Sequence, residues 1–281
     1  MRVAVTGAGG YVGRRVVASL RAAGLEAEPW LRVMADVTNL AAVRAAVRSL
    51  APNVVVHSAA MADPGRCARD PAQAIRTNVI GTANLATACL EHGCRMVLLS
   101  SDYVFDGMAG RPYHEFDPVC PGWDVYGDTK CQAEALVRAT LPAHHILRLT
   151  WQFGPPEEAG LPAGGGWLGH LALAARQGRT VRVRGGERRT VTCVYDTAEV
   201  VRQACLGTMP HGTYHVAAQS ELDWAGVTRL MLRRLGARSD LLEVLPVEEH
   251  PLDRRLECRL LPLVGIRPPT LEEGLERALA R

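Results

Sequence analysis

Arg2-Val3-Ala4-Val5-Thr6-Gly7-Ala8-Gly9-Gly10-Tyr11-Val12-Gly13 is the stretch from which the rest of the chain can be read. Its first half is a short β-branched run, and its second half sets Gly7, Gly10 and Gly13 in a G-x-x-G-x-x-G spacing. Apolar residues then recur at helical spacing from Val12 to Leu20, with Gly24 as a C-terminal stop. Strand, glycine turn and helix in succession are the context that gives such a motif meaning. So tight a turn needs glycine dihedrals, and a pyrophosphate reaches helix N-terminal amides only where no Cβ intervenes. The expectation is a dinucleotide site built on Gly7, Gly10, Tyr11, Val12 and Gly13.

Outward from that turn, a second strand is expected over Glu26 to Leu31, ending Trp30-Leu31-Arg32. A NAD-selective site typically carries an acid roughly 20 residues beyond the glycines, on the ribose diol. Here Arg32 stands near that place, which favours NADPH and a 2′-phosphate; Glu28, in a shifted register, keeps NADH open. Asp36 and Val37 follow, with Asp36 read either as an adenine contact or as an ordinary turn acid, and then a helix from about Asn39 to Leu50. Asn53 to His57 is a continuous apolar strand of the kind buried on both faces of a parallel sheet. His57 within it reads as a hydrogen-bonded core histidine rather than a base. The small residues Ala59 and Ala60, with Met61, allow close approach of a cofactor. A helix from Asp70 to His92 follows, with Ile75, Val79, Leu85 and Leu90 near one face and Asn78 bracing neighbouring backbone.

Arg95 to Ser101 is a fourth strand ending in two hydroxyls, Ser100 and Ser101. Ligands of open α/β sheets sit outside the carboxyl ends of the strands, so these serines point to the same crevice as the glycines. A Gly-, Pro- and Asp-rich loop leads on to Tyr126-Gly127-Asp128-Thr129-Lys130. Lys130 is the only lysine of the chain, against 31 arginines. A chain so biased has a chemical use for that one ammonium, whose pKa shifts where an arginine's does not. On a helix, Tyr126 and Lys130 share one face a turn apart, and a neighbouring ammonium lowers a phenol's pKa towards proton transfer near neutrality. Ser101, Tyr126 and Lys130 are therefore the candidate catalytic residues.

At 281 residues, 48% hydrophobic and 22% charged, the chain is long and apolar enough for a substantial core. A net charge of +3 and the lack of a basic run argue against nucleic acid. No apolar stretch approaches the ~18 residues of a membrane helix. Met1-Arg2 runs straight into the first strand, so no leader is expected. Eight cysteines without C-x-x-C or zinc spacing read as idle thiols of a cytoplasmic protein, with no metal site. Beyond the strand His145 to Thr150 the pattern loosens. Gly164-Gly165-Gly166 starts or precedes a helix to Gln177, and Thr180 to Val183 is a short strand. A helix over Asp196 to Leu206, a strand over Gly212 to Ala217, a helix over Trp224 to Leu235 and a capped helix over Thr270 to Ala280 complete the pattern. The fold class expected is α/β, a Rossmann-type doubly wound parallel sheet over 1–155 with a smaller C-terminal α/β substrate lobe over 156–281, some of whose segments return to the core.

The glycine motif, the hydroxyl at the end of the fourth strand and Tyr126-x-x-x-Lys130 resemble the extended short-chain dehydrogenase/reductase superfamily. Ser100-Ser101-Asp102-Tyr103-Val104-Phe105-Asp106-Gly107, Trp151 after Arg148, and the tail from Arg255 through Gly265-Ile266 to Leu275 are similar to its dTDP-4-dehydrorhamnose reductase family. The resemblance implies NADPH across the strand ends, contacted also by Asn78, Ser100, Tyr126 and Lys130, and a sugar-nucleotide substrate lined by Asp102, Tyr103, Val104, Phe105 and Trp151. It implies Tyr126 as proton donor, Ser101 on the developing alkoxide, and Lys130 on the nicotinamide ribose. The family usually has Thr at Ser101, and it carries acidic or Lys residues where Pro64-Gly65-Arg66 stand here. Sugar-nucleotide dehydratases place Asp-Glu after their catalytic Thr; here Asp102-Tyr103 follows Ser101, so the acid of dehydration is missing. Rival readings are a reductase of another polar ketone and a non-catalytic NADP-binding regulatory subunit. The expected partner is a small-molecule ketone, with no nucleic acid or membrane, and a homodimer is the self-association left open.

Overall fold

The computed structural model describes residues 1–156 and 166–280. Its framework is a six-stranded sheet in the order β2-β1-β3-β4-β5-β9. The strands are β1 (Arg2–Thr6), β2 (Glu26–Trp30), β3 (Val54–His57), β4 (Arg95–Ser101), β5 (His144–Leu149) and, after a long interval, β9 (Gly212–Val216). β1 pairs in parallel with both β2 and β3, and β3 with β4. The chain thus leaves β1 for the outer β2 and returns to the other side of β1 at β3. That reversal opens a crevice beyond Thr6 and His57, where ligands of such sheets bind. The central strands are buried on both faces, as their unbroken Val-rich sequences require.

Helices α1 (Tyr11–Ala22), α2 (Leu40–Leu50), α3 (Pro64–Arg69), α4 (Pro71–Ala74), α5 (Gly81–His92) and α6 (Val125–Thr140) accompany these strands. Asn39 caps α2 by accepting from the Ala42 amide, and α2 packs on α5 with Val43, Val47, Leu85 and Cys89 in a common core. The stretch expected as one helix from Asp70 to His92 contains a π turn over Ile75–Ile80. That inserted residue rotates the side chains downstream, so the four apolar residues expected on one face separate. Leu85 is fully buried, whereas Ile75 and Leu90 are exposed.

By internal contacts the chain forms two compact units, both discontinuous. The first comprises 1–105, 116–148 and 198–214; the second comprises 106–115, 149–197 and 215–281. The later segment 198–214 belongs to the first unit and the earlier segment 106–115 to the second, where Tyr113 NH bonds to Arg255 O and Glu257 NH to Tyr113 O. β6 (Trp151–Phe153) pairs in parallel with β8 (Val191–Cys193), and β7 (Val181–Gly185) with β10 (Leu242–Val247). The register of that last pair shifts between Leu245 and Val247, at Pro246, which has no amide to contribute. Three-residue strands and a Pro-bearing edge strand have too little periodicity to be read from sequence.

Of the remaining helices, α7 (Gly166–Arg176), α9 (Trp224–Arg234) and α11 (Leu271–Leu279) bury Leu168, Leu171, Met231, Leu271 and Leu275 in the second unit's core, and α8 (Val194–Leu206) and α10 (Leu260–Leu263) are the others among the described residues. Gly164 and Gly165 lie outside the described residues. The expected cap of the last helix is a full capping box, Thr270 and Glu273 each bonding the other's amide. No helix among the described residues is long and apolar enough to cross a membrane.

Candidate active site

The turn between β1 and α1 meets the β3 loop closely. Gly7 has φ +65, and a Cβ there would lie 2.7 Å from the Ala59 amide nitrogen. Gly10 caps α1 with no side-chain hydrogen bond, and no acid occupies the first helical turn. A helix N-terminus left so by the sequence has amide hydrogens and a positive dipole end available for an anion. Beside it lies a cleft of about 260 Å³ lined by Thr6, Gly7, Gly10, Trp30, Arg32, Ala35, Asp36, Val37, Ser58, Ala59, Ala60 and Thr77. The bare-backbone turn, the uncapped helix and an arginine at the far end are a donor set that fits a phosphorylated dinucleotide.

Arg32 donates through Nε to Asp36 Oδ2 at 3.0 Å, and its side chain remains 79% exposed. Asp36 Oδ1 accepts from the Thr38 amide and hydroxyl, each at 2.9 Å. Hydrogen bonding from the Thr38 amide, opposed by burial and helped by the Thr38 hydroxyl and Arg32, holds the Asp36 carboxyl below its ordinary range. Asp36 is thus both a turn acid and an anchor for Arg32. Glu28 pairs with Ala4 inside the strand, short of the strand end where the cleft lies. Trp30, Ala35, Ser58 and Thr77 line the cleft without having been singled out in sequence; Ser58 and Thr77 come beside Arg32 only through the β1–β3 reversal. Trp30 carries its own signal, an indole N–H bonded to Ala35 O at 3.0 Å that shapes the Arg32 loop. Tyr11 lies under the guanidinium groups of Arg14 and Arg15, 5.5 and 5.7 Å from its ring centre. Val12 and Gly13 follow in the first turn of α1, and Val37 accepts from the Asn84 side chain at 2.9 Å.

Ser100 and Ser101 end β4, and Asp102–Val104 forms a single 3-10 turn after them. Ser101 Oγ donates to Asp102 Oδ1 at 2.9 Å, accepts from the Tyr103 amide at 3.3 Å, and lies close enough to the Tyr126 hydroxyl to lower its pKa. Asp124 caps α6 by accepting from the Gly127 amide, which sets Tyr126 in the first turn and Lys130 one turn on. Lys130 Nζ donates to Leu99 O at 2.8 Å and lies 6.0 Å from the Tyr126 ring centre. The three residues expected to act together therefore do lie together, all buried.

One electrostatic expectation needs correction. The Tyr126 phenol is pushed up, not down: burial dominates, Ser101 lowers it, and the Asp102 charge adds to the rise. The Lys130 ammonium, bonded to Leu99 O, does not offset that burial. Burial also lowers Lys130 itself to about 8, against the opposing charge of Glu134.

Other expected contacts are placed differently. Asn78 is spent on bracing: Oδ1 accepts from Met61 N at 2.8 Å, and Nδ2 donates to Met61 O and Thr129 Oγ1 at 3.1 and 2.9 Å. Ser100 Oγ donates its one proton to the buried Glu134 carboxylate at 2.6 Å. Val104 and Phe105, expected to line a sugar site, are fully buried, Phe105 beneath the Arg148 guanidinium. They shape the loop from beneath it. Asp102 is also buried, while Tyr103 stacks on Trp123 and meets Tyr126 edge-on. Trp151 belongs to the second unit, where it is 36% exposed beside Trp167 and Trp224 with the Arg189 guanidinium 4.6 Å over its ring. No group of three or more metal-ligating side chains occurs among the described residues.

Comparison with known proteins bears on this arrangement. The family model "RmlD substrate binding domain" matches residues 1–281. A spore coat polysaccharide biosynthesis protein, SpsK, of Bacillus subtilis (strain 168) is 29% identical, over 99% of this chain and 96% of its own. A dTDP-4-dehydrorhamnose reductase of Streptomyces griseus is 34% identical, over 83% of this chain and 76% of its own. A crystal structure of dTDP-4-dehydrorhamnose reductase from Bacillus anthracis str. Ames in complex with NADP superposes with a TM-score of 0.88 at 25% identity, covering 99% of this chain and 98% of that one. This chain belongs to the RmlD substrate-binding-domain family, whose members include reductases of the kind its motifs resemble.

Proposed function

We propose that the chain is an NADPH-dependent ketoreductase acting on a nucleotide-activated 4-keto-6-deoxy sugar. The observation that carries the reading is the buried trio Ser101, Tyr126 and Lys130, with Lys130 Nζ 6.0 Å from the Tyr126 ring centre and one helical turn on, in the same compact unit as the glycine turn. The names of the relatives supply the substrate class. NADPH, when bound, supplies the hydride. Gly7, Gly10, Tyr11, Val12 and Gly13 hold its pyrophosphate side, Arg32 its 2′-phosphate, and Ala59, Ala60 and Met61 its flank.

Tyr126 gives its proton to the carbonyl oxygen as negative charge develops there. A phenol pushed up by burial still holds that proton at neutral pH, which suits the reducing direction. The Ser101 hydroxyl, turning its one proton from Asp102 Oδ1, donates a hydrogen bond to the same oxygen. Lys130 has three donors and gives one to Leu99 O, leaving two for a ribose hydroxyl and for the phenolate formed on donation. Asp102 and Tyr103 are proposed substrate contacts. All eight cysteines are free, which suits a reducing cytosol.

The test follows NADPH absorbance with purified protein and a dTDP-4-keto-6-deoxyhexose, with NADH in parallel. Rapid oxidation with NADPH preferred is the expected result. Tight NADPH binding without oxidation would refute the substrate class.

A further inference from the structure

His57 is 2% exposed at the end of β3, and the hydrogen atoms around it can be assigned by elimination. Thr82 Oγ1 lies 2.5 Å from Asn78 O, a contact a carbonyl accepts only if the hydroxyl proton points at it. Thr82 then has no proton left for His57 Nε2, 3.1 Å away, so Nε2 must carry the hydrogen. Burial, with the Lys130 charge adding to it, lowers His57 to about 3, so the ring is neutral and Nδ1 is an acceptor. Thr6 Oγ1, 2.8 Å from Nδ1, donates to it and accepts from the Ala59 amide at 3.2 Å. Every donor in the row has one acceptor. The row runs from Ala59 through Thr6, His57 and Thr82 to the Asn78 backbone.

Its two ends are the cofactor cradle and the proton donor's helix. Thr6 precedes Gly7, and both line the cleft with Ala59. At the other end the Asn78 side chain grips Met61 and Thr129, and Thr129 Oγ1 donates to Tyr126 O at 2.8 Å. We propose that His57, as the neutral Nε2–H tautomer, is a positioning residue that ties the glycine turn to the Tyr126 helix, so that cofactor seating and proton-donor placement depend on one imidazole. The inference rests on the ketoreductase reading and adds a residue to its machinery. An imidazole suits the task because it is rigid and presents a donor and an acceptor at opposite edges.

The experiment has two arms. Nitrogen-15 NMR of the imidazole at neutral pH should show His57 protonated at Nε2 alone; an Nδ1–H tautomer or an imidazolium would overturn the assignment. His57→Phe keeps the ring and removes both hydrogen bonds, and His57→Gln restores one donor and one acceptor. Losing one well-made hydrogen bond at each end should weaken NADPH binding about tenfold and lower kcat at saturating cofactor about tenfold. The ketone KM should stay within about threefold, and His57→Gln should recover part of both losses. If His57→Phe lowers the melting temperature but leaves NADPH affinity and kcat at wild-type values, the residue only packs and the proposal fails. Should the wild-type chain bind NADPH yet reduce no such ketone, the function reading fails, while the tautomer and the NADPH affinities still decide this one.

Discussion

Replacing Glu134 should be among the most damaging single changes in the first unit. Its carboxylate is fully buried and accepts from Ser100 Oγ at 2.6 Å, Arg148 Nε and Nη2 at 3.0 and 2.9 Å, and Arg138 Nη2 at 2.7 Å. Arg148 has only 3% of its side chain exposed, so Glu134→Gln leaves a guanidinium charge almost without solvent and without the carboxylate charge that faces it. Breaking one side of a buried pair costs roughly 3–5 kcal/mol, whereas replacing both sides with apolar groups of similar volume is often neutral. At roughly 2–4 °C per kcal/mol for a chain of this size, the melting temperature should fall by about 10 °C. Glu134→Leu/Arg148→Met should recover most of it. Urea unfolding followed by tryptophan fluorescence and circular dichroism measures both.

The effect carries a pH signature. Burial pushes the Glu134 carboxyl up, but Arg148, Ser100 and Arg138 together pull it below its ordinary 4.5. A depressed folded-state value means the contribution is complete above about pH 4.5 and is lost as pH falls through the lower folded value. The gap between wild type and Glu134→Gln should therefore close in acid. A single-mutant loss below about 1 kcal/mol, a double mutant no better than the single, or a gap that persists in acid would refute the reasoning.

Tyr126→Phe should lower kcat about 10²- to 10⁴-fold while leaving NADPH affinity within about threefold; retained turnover would exclude Tyr126 as the proton donor. Arg32→Ala should weaken NADPH about tenfold and NADH hardly at all, by titration of each cofactor, and equal effects would remove Arg32 from the 2′-phosphate. Gly13→Ala would set a Cβ 2.3 Å from Gly7 O and should abolish cofactor binding or folding, whereas Gly9→Ala meets only Leu31 Cδ2 at 3.5 Å and should bind NADPH normally. A tolerated Gly13→Ala would mean the turn is looser than its geometry.

The sequence was informative where a physical requirement acts over a short span. Glycines that must admit a backbone, a Val-rich strand buried on both faces, and a tyrosine and lysine one helical turn apart are local statements, and each element stands where its residues placed it. Capping was legible for the same reason, since Thr270 and Glu273 satisfy each other within one turn. Asn78 was read as a brace because a buried amide needs partners, but which partners lay beyond reach: Thr129 is supplied by a distant helix.

What only the tertiary structure decided is what depends on approach between remote segments. The reversal from β1 to β3 brings Ser58 and Thr77 to the cleft that Arg32 lines. Packing of the loop after Ser101 buries Val104 and Phe105, which the family resemblance had implied as substrate contacts. The sign of the Tyr126 shift also turned on three-dimensional burial. Helical spacing brings the ammonium near the phenol, but exclusion of water from that phenol acts more strongly, and no count of residues along a chain measures it.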